Sequence, residues 1–264
     1  MPFTYKTVLI VGATSGIGAG LADKLISEGS KVIAVGRRQD RLDAFVEKHG
    51  SAKSGAVKFD VTESDGIDVF IEHVLSQYPE LDCVFLNSGI QGSTRLSHAA
   101  EFDLVKFHHE INVNFTSVVN LIMKFLPHLQ AREIPTALIV TGTHLALVPA
   151  TTMAGYSASK AALTSFVDCL REQNREKPTK IIEIYPPVVQ TELHDWMGQE
   201  KGRALGMPLD EFTEIVYREL LKGLEFIVIG SIATEPQEVY QDMVDKRRTI
   251  FKRLSVALLS RFEL

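Results

Sequence analysis

Short runs of apolar, often β-branched residues alternate along the chain with longer stretches in which apolar residues recur at helical spacing. A run that is apolar at almost every position is typical of a strand buried on both faces of a parallel sheet. These runs predict about seven strands, at residues 7–11, 31–36, 56–59, 83–86, 137–141, 180–185 and 225–230. Because strands alternate with helices, we expect an α/β fold of Rossmann type: a single doubly wound parallel β-sheet with helices on both faces.

The stretches with helical spacing predict helices at residues 19–28, 39–48, 64–77, 101–129, 156–176 and 208–223, and a helical tail at 231–264. The stretch 101–129 is predicted to be one long helix. The segment 192–207 is rich in Met, Trp, His and Gly and is predicted to be a substrate loop or lid. Since no repeat or low-complexity linker interrupts the pattern, we expect a single domain over residues 1–264, with 231–264 as its C-terminal extension.

Composition and charge argue against several classes of protein. Apolar residues make up 45% of the chain and charged residues 23%, and the net charge is −5. These are ordinary values for a soluble protein. The chain has no long basic block of the kind that binds nucleic acid, and no apolar stretch as long as a membrane span. The first residues lack a secretory signal pattern, so we expect a cytoplasmic protein.

The two cysteines, Cys83 and Cys169, both lie in apolar runs. We expect both to be buried as small hydrophobic residues in a reducing compartment, without a disulfide. The cysteines and histidines lack the spacing of metal ligands, so no metal site is expected.

A glycine-rich turn follows the first predicted strand and opens a helix. A strand, a glycine turn and a helix in this order can cradle a pyrophosphate at the free N–H groups of the helix N-terminus. We therefore expect the turn to bind a dinucleotide through Gly12, Thr14, Ser15, Gly16, Ile17 and Gly18. Glycines alone would be weak support, because they also end strands.

Two arginines, Arg37 and Arg38, follow the second predicted strand. An acidic residue near this position is typical of sites that bind the ribose hydroxyls of NAD. A carboxylate would repel the 2′-phosphate of NADP, whereas a guanidinium binds it with forked donors. We therefore expect NADP(H) to be preferred over NAD(H). The alternative is that both arginines merely solvate the start of a helix.

Polar residues also follow the third and fourth predicted strands, where ligands of open α/β sheets bind. Asp60 and Val61 come after the third strand and are expected near the cofactor. Asn87, Ser88 and Gly89 come after the fourth strand. They either hold the cofactor's ribose or form a plain turn.

Tyr156 and Lys160 are four residues apart in a predicted helix, so their side chains share one face. A nearby ammonium favours the phenolate and lowers the pKa of a tyrosine from its reference value of about 10. The pair is therefore a candidate general acid and base. Taken alone, the same spacing also occurs by chance on solvated helices.

Asn112 and Asn114 lie inside an apolar helix, where an amide needs a structural or functional partner.

Together these motifs resemble the short-chain dehydrogenase/reductase family over roughly residues 6–230. The glycine turn is similar to its cofactor loop, residues 87–89 to its Asn-Ala-Gly turn, and Tyr156 with Lys160 to its active-site pair. Residues 186–191 are similar to its Pro-Gly-x-Val-x-Thr segment, which implies nicotinamide contacts from Pro186, Val189 and Thr191. Residues 145–149 and 182–187 are closest to a subgroup called DltE-like oxidoreductases, a label that defines no substrate.

The resemblance implies a catalytic set of Asn114, Thr143, Tyr156 and Lys160. In this set Tyr156 protonates the forming alkoxide, Lys160 lowers the tyrosine pKa and binds the nicotinamide ribose, Thr143 orients the carbonyl oxygen, and Asn114 holds a water. The chain departs from the family pattern at Val11 and Pro187, and in having threonine rather than serine at position 143. His144, Trp196 and Met197 are candidate substrate contacts.

The predicted function is that of an NADPH-dependent carbonyl reductase acting reversibly on a small or medium, partly apolar carbonyl or alcohol. By analogy with the family, a homodimer or homotetramer is expected. The alternative is an NADP(H)-binding sensor or scaffold, or a non-redox enzyme such as an isomerase, and Thr143 is the feature in its favour. The tail at 250–259 either packs on the substrate loop or a neighbouring subunit, or binds a membrane or partner.

Overall fold

The computed structural model of the protein describes residues 3–232 and 235–262. Its strands form one sheet in which every neighbouring pair is parallel. The strands are β1 (Thr7–Val11), β2 (Lys31–Gly36), β3 (Ser54–Lys58), β4 (Cys83–Leu86), β5 (Thr136–Thr141), β6 (Thr179–Tyr185) and β7 (Phe226–Val228). Their order is β3-β2-β1-β4-β5-β6-β7, which confirms the predicted doubly wound parallel sheet.

The helices that cover the sheet are α1 (Gly16–Ser27), α2 (Gln39–His49), α3 (Ile67–Gln77), α4 (Leu104–Ile111), α5 (Ser117–Gln130), α6 (Ala154–Gln173), α7 (Gln199–Arg203), α8 (Leu209–Leu221) and α9 (Gln237–Phe262). Short 3₁₀ turns occur at Ser64–Gly66, Ala99–Glu101, His144–Ala146 and Glu192–Met197. We call residues 192–207 the lid, after their predicted role, and they contain a 3₁₀ turn and α7. No helix among the described residues is long and apolar enough to cross a membrane.

The core lies in two layers, one on each face of the sheet. One layer contains side chains of α3, α5 and α6, such as Phe70, Phe125 and Leu163. The other contains side chains of α1 and α8, such as Leu21 and Phe212. Because both faces are covered, the strands are apolar at nearly every position, which is why the sequence pattern located them well.

The order of the strands reverses between β1 and β4. From β1 the chain continues toward one edge of the sheet, to β2 and β3, and from β4 it continues toward the other edge. In such sheets a crevice opens at the carboxyl ends of the strands where the order reverses. The register pairs Val11 with Leu86 at these ends. The turns that begin at Gly12 and Asn87 therefore lie side by side.

The predicted long helix 101–129 is interrupted. α4 and α5 are separated by a π-helical turn at Asn112–Thr116. Asn114 lies in this turn and is fully buried, and its amide bonds a neighbouring loop and α6. A π turn changes the direction in which a side chain leaves the helix. Because the chain remains helical through this turn, the apolar periodicity alone did not reveal the break.

The expectation that both cysteines are buried is half correct. Cys83 is buried in β4, but Cys169 is exposed on α6. The buried face of α6 is set by Leu163, Val167 and Leu170, and Cys169 lies on the opposite side of this helix. The presence of a residue in an apolar run does not show which face of the helix it occupies, so the run alone cannot distinguish a buried cysteine from an exposed one.

The first part of α9 packs on the edge of the sheet. Tyr240 and Val244 are buried against Tyr185 of β6 and Val228 of β7. Farther along α9, Ile250 and Val256 are 66% and 61% exposed. The tail is therefore anchored at its start, on a surface that neither sequence-based alternative had named.

Candidate active site

A cavity of about 560 Å³ lies at the carboxyl edge of the sheet. Its walls come from the turns after β1 to β6, from the start of α6 and from the lid. Most of the predicted site residues line it: Gly12, Thr14, Ser15, Gly16, Ile17, Arg37, Arg38, Asp60, Val61, Asn87, Ser88, Gly89, Thr143, His144, Tyr156, Lys160, Pro186, Val189, Thr191 and Trp196. Gly18, Asn114 and Met197 do not line it.

The turn after β1 brings three segments of the chain into close contact. Gly12 has a φ of +87°, and a Cβ there would lie 2.7 Å from the backbone nitrogen of Ser88. A Cβ at Gly18 would overlap the carbonyl oxygen of Gly12. Ser15 precedes α1 but makes no capping hydrogen bond, so its side chain does not occupy the first N–H groups of the helix. This end of the cavity can therefore accept an anion.

Two neighbouring side chains after β4 have different tasks. Asn87 donates from Nδ2 to the carbonyl oxygen of Gly12 at 3.2 Å, and its Oδ1 accepts from Oγ1 of Thr141 at 2.9 Å. It thereby ties the ends of β1 and β5 together. The Ser88 hydroxyl is buried and has no hydrogen-bond partner among the described residues. A buried hydroxyl without a partner is costly, so Ser88 is suited to bind a ligand.

The two arginines after β2 are not equivalent. The Arg37 side chain is 59% exposed, and its ion pair to the carboxylate after β3 spans 3.5 Å. Arg38 instead donates to the hydroxyls of Thr14, at 3.1 and 2.8 Å, and of Ser15, at 2.7 Å. It also donates to Glu192 at 2.9 Å. Arg37 is therefore the more available cation, while Arg38 already has several partners.

Asp60 organises the loop after β3. It accepts from the backbone N–H of Thr62 at 3.0 Å and from its hydroxyl at 2.8 Å, and it faces Arg37. Burial by itself raises the pKa of Asp60, but the Thr62 hydrogen bonds and the Arg37 guanidinium together hold that pKa below its usual value. Asp60 is therefore a carboxylate at neutral pH, and it lines the cavity beside Val61.

Tyr156 and Lys160 lie on the buried face of the first two turns of α6 and are 6% and 3% exposed. The Lys160 ammonium donates to the carbonyl oxygen of Thr141 at 2.8 Å. Thr143 follows β5, and its hydroxyl accepts from the N–H of Leu145 at 3.3 Å. A phenol, an ammonium and a hydroxyl thus line the same cavity.

The pKa of Tyr156 lies above its usual value, not below it as its spacing from Lys160 predicted. Burial raises the pKa of Tyr156 to about 12, the Thr143 hydroxyl acts in the opposite direction, and the Glu110 carboxylate adds to the increase. Burial also lowers the pKa of Lys160 to about 8, although Glu183 opposes that change. Desolvation disfavours the charged form of each group, and it is the largest cause of both shifts.

Asn114 acts on a loop next to the cavity. Its Nδ2 donates to the carbonyl oxygen of Ile90 at 2.9 Å and to the hydroxyl of Ser159 at 3.1 Å, and its Oδ1 accepts from the N–H of Ile90 at 2.9 Å. The π turn therefore fixes the loop after β4 against α6. The sequence indicated that an asparagine in this helix has a task, and this contact is the one that the structure provides.

The lid is joined to the loop after β4 by Gln91, which sequence reasoning missed. Oε1 of Gln91 accepts from Nε1 of Trp196 at 3.1 Å and lies 3.0 Å from Nδ1 of His194. Because an indole N–H only donates, the oxygen of Gln91 must face it, and His194 must carry its proton on Nδ1. Trp196 lines the cavity, whereas Met197, its neighbour in the same turn, does not.

Comparison with known proteins agrees with this geometry. The family model for short chain dehydrogenases matches residues 6–202. The chain belongs to the short-chain dehydrogenase family. This confirms the predicted resemblance.

Named relatives of this short-chain dehydrogenase are similar over most of its length. The uncharacterized oxidoreductase DltE of Bacillus subtilis is 34% identical over 229 residues, which cover 86% of this chain and 89% of DltE. A short-chain dehydrogenase/reductase from Burkholderia phymatum, solved in complex with NAD, has a TM-score of 0.78 at 18% identity. The match covers 86% of this chain and 90% of the Burkholderia phymatum chain. One from Burkholderia cenocepacia, solved in complex with NADP, has a TM-score of 0.76 at 24% identity, with coverages of 96% and 99%.

This short-chain dehydrogenase also uses a residue beyond the matched region. Tyr240 of α9 is 1% exposed, and its ring centroid lies 4.2 Å from that of His144. Its hydroxyl donates to the carbonyl oxygen of His144 at 3.2 Å. Tyr240 therefore supports the turn that carries Thr143. Sequence reasoning missed it because the two residues are 96 positions apart and no motif marks the tail.

His144 itself forms part of the wall of the cavity. It is 2% exposed, and burial lowers its pKa to about 4. The imidazole is therefore neutral at physiological pH, and it contacts the cavity as an uncharged ring.

Tyr240→Phe should lower the free energy of unfolding by about 0.5–1.5 kcal/mol, because the buried carbonyl of His144 loses a donor while the ring packing is kept. Urea unfolding followed by circular dichroism measures this change. Tyr217→Phe is the matched control, since that hydroxyl lies beside Glu28 on a partly exposed surface. Equal effects of the two substitutions would contradict a supporting role for the Tyr240 hydroxyl.

Proposed function

We propose that this protein is an NADPH-dependent carbonyl reductase that also runs in reverse as an alcohol dehydrogenase. The observation that carries the proposal is the arrangement of one cavity. A glycine turn with an open helix N-terminus contributes to its wall, as do the buried side chains of Thr143, Tyr156 and Lys160. Such a cavity suits an extended dinucleotide that presents its reactive ring to a carbonyl compound.

The residues present suit a nicotinamide dinucleotide. The uncapped N-terminus of α1 can bind a pyrophosphate, and the unpartnered hydroxyl of Ser88 supplies a donor to a ligand. Arg37 is exposed and free enough to bind a 2′-phosphate. When bound, the cofactor supplies the hydride. The proteins in the comparison include complexes with both NAD and NADP, so the preference for NADP(H) rests on Arg37 and Arg38.

The protein's own groups handle the proton. With a pKa raised to about 12 by burial, Tyr156 is a protonated phenol at neutral pH, ready to donate to an alkoxide. Thr143 supplies a second hydroxyl to orient the carbonyl oxygen. Lys160, whose pKa burial lowers to about 8, still remains mostly an ammonium at pH 7 and stabilises the negative charge that develops beside it.

The lining of the cavity favours an uncharged, partly apolar substrate. Apolar side chains that contribute to the wall are Ile90, Leu145, Val188, Trp196 and Ile232. Apart from Lys160, the cations that line the cavity among the described residues are Arg37 and Arg38, which follow β2. A substrate carboxylate or phosphate near Tyr156 would thus lack an arginine partner.

A second candidate is a protein that binds NADP(H) as a sensor or scaffold, or that catalyses a non-redox step. Thr143 in place of serine favours it, because its methyl group narrows the site and restricts the side-chain rotamer. The buried Tyr156 and Lys160 count against it, since desolvating both groups is costly and mere binding does not require them.

Fluorescence titration should show that NADPH binds at least about tenfold more tightly than NADH, because a charge-assisted hydrogen bond to the 2′-phosphate is worth about 1.5–3 kcal/mol. Raising the salt concentration should narrow the difference, since Arg37 is exposed. Equal affinities for the two cofactors would contradict the assignment of the arginines.

Tyr156→Phe should remove nearly all NADPH oxidation in a panel of uncharged aldehydes, ketones and diketones, because the proton donor is lost. NADPH binding should remain within about twofold of the wild type, since the ring stays in place. Retained turnover would show that another acid is used. Tight NADPH binding without oxidation of the cofactor by any compound, even in the wild type, would favour the second candidate.

A further inference from the structure

The first residue of the lid reaches back to the arginines that follow β2. Glu192 opens the turn Glu192–Met197 directly after Thr191. Its Oε2 accepts from Nη1 of Arg38 at 2.9 Å and from Nη1 of Arg41 at 2.9 Å. The partners lie 154 and 151 positions away in sequence, so this contact joins two distant parts of the fold.

Arg38 has little donor capacity left. Of its five N–H groups, one on Nε and two on Nη2 serve the hydroxyls of Thr14 and Ser15, and one on Nη1 serves Glu192. The guanidinium therefore lies over the glycine turn and shares the Glu192 carboxylate with Arg41. An incoming anion would meet an arginine that is already paired.

Glu192 is ionised in this arrangement. Burial by itself raises its pKa, but the hydrogen bonds from Arg41 and Arg38 hold that pKa below the usual value of a glutamate. Glu192 also lines the same cavity as Arg37 and Arg38. A carboxylate and a phosphate are alternative partners for one guanidinium fork.

We propose that Glu192 is a cofactor-specificity residue whose carboxylate competes with the 2′-phosphate of NADP(H) for Arg38. This inference rests on the proposed binding of a nicotinamide dinucleotide. NAD(H) carries no phosphate at that ribose and leaves the pair of Glu192 and Arg38 intact. NADP(H) brings a second anion, which either repels Glu192 or draws Arg38 away from it. Because Glu192 begins the lid, the competition links the nucleotide to the segment that carries Trp196.

Glu192→Gln tests the proposal, because it removes the charge and keeps the size of the side chain. The dissociation constants of NADPH and NADH are measured by fluorescence, and those of adenosine 2′,5′-bisphosphate and 5′-AMP by calorimetry. We expect NADPH and the bisphosphate to bind about three- to tenfold more tightly, as is typical for the loss of a partly exposed competing charge. NADH and 5′-AMP should change less than about twofold.

Asp195→Asn is the matched control. Asp195 lies in the same lid turn and pairs with Arg203 through hydrogen bonds of 2.8 and 2.6 Å. The substitution makes the same change in net charge and also breaks an ion pair of the lid, but it leaves Arg38 and Arg41 untouched. The ratio of the NADPH and NADH affinities should stay at its wild-type value.

Three results would overturn the proposal while the proposed function stands. These are an equal gain for both cofactors, a weaker affinity for NADPH, or the same change in Asp195→Asn as in Glu192→Gln. Weaker binding would mean that Glu192 orders Arg38 for the phosphate instead of competing with it. A wild-type protein that binds neither dinucleotide would refute the proposed function, and this inference with it.

Discussion

Three consecutive hydrogen bonds join the glycine turn to α6, the helix of Tyr156 and Lys160, and the rest of the site depends on them. Asn87 donates to the carbonyl oxygen of Gly12 and accepts from the hydroxyl of Thr141. The carbonyl oxygen of Thr141 in turn accepts from Lys160. These contacts exist because the strand order reverses beside β1, which places the ends of β1, β4 and β5 next to one another. The glycine turn and the helix that carries Tyr156 are thereby held in one frame.

The same frame explains the electrostatics of the site. Burial raises the pKa of Tyr156 to about 12 and lowers that of Lys160 to about 8. Shifts of this size correspond to about 3 kcal/mol against each charged form. The lysine tolerates burial because its ammonium donates a hydrogen bond to a backbone carbonyl oxygen, and the phenol tolerates burial by remaining neutral. A buried, protonated tyrosine beside an ammonium is suited to give a proton to an alkoxide rather than to take one from water.

The features that the sequence predicted well are local in the chain. Both faces of each strand are covered, so short apolar runs marked the sheet, and the spacing of Tyr156 and Lys160 placed both on one face of a helix. The features that the sequence could not predict depend on contacts between distant residues or on burial. Glu192 meets Arg38 across 154 positions, and Tyr240 supports His144 from a tail without a motif. The predicted direction of the Tyr156 pKa shift was wrong, because the spacing of Tyr156 and Lys160 does not reveal how far burial desolvates the phenol.

In the proposed reaction the buried phenol of Tyr156 and a nicotinamide cofactor together reduce a carbonyl group. The most direct test is to incubate the protein with NADPH that carries deuterium at C4 of the nicotinamide and with an uncharged carbonyl compound, and to analyse the product by mass spectrometry and NMR. We expect an alcohol with one deuterium on the carbinol carbon, formed from only one of the two C4-deuterated epimers. Product without deuterium, or no product from a protein that binds NADPH tightly, would contradict it.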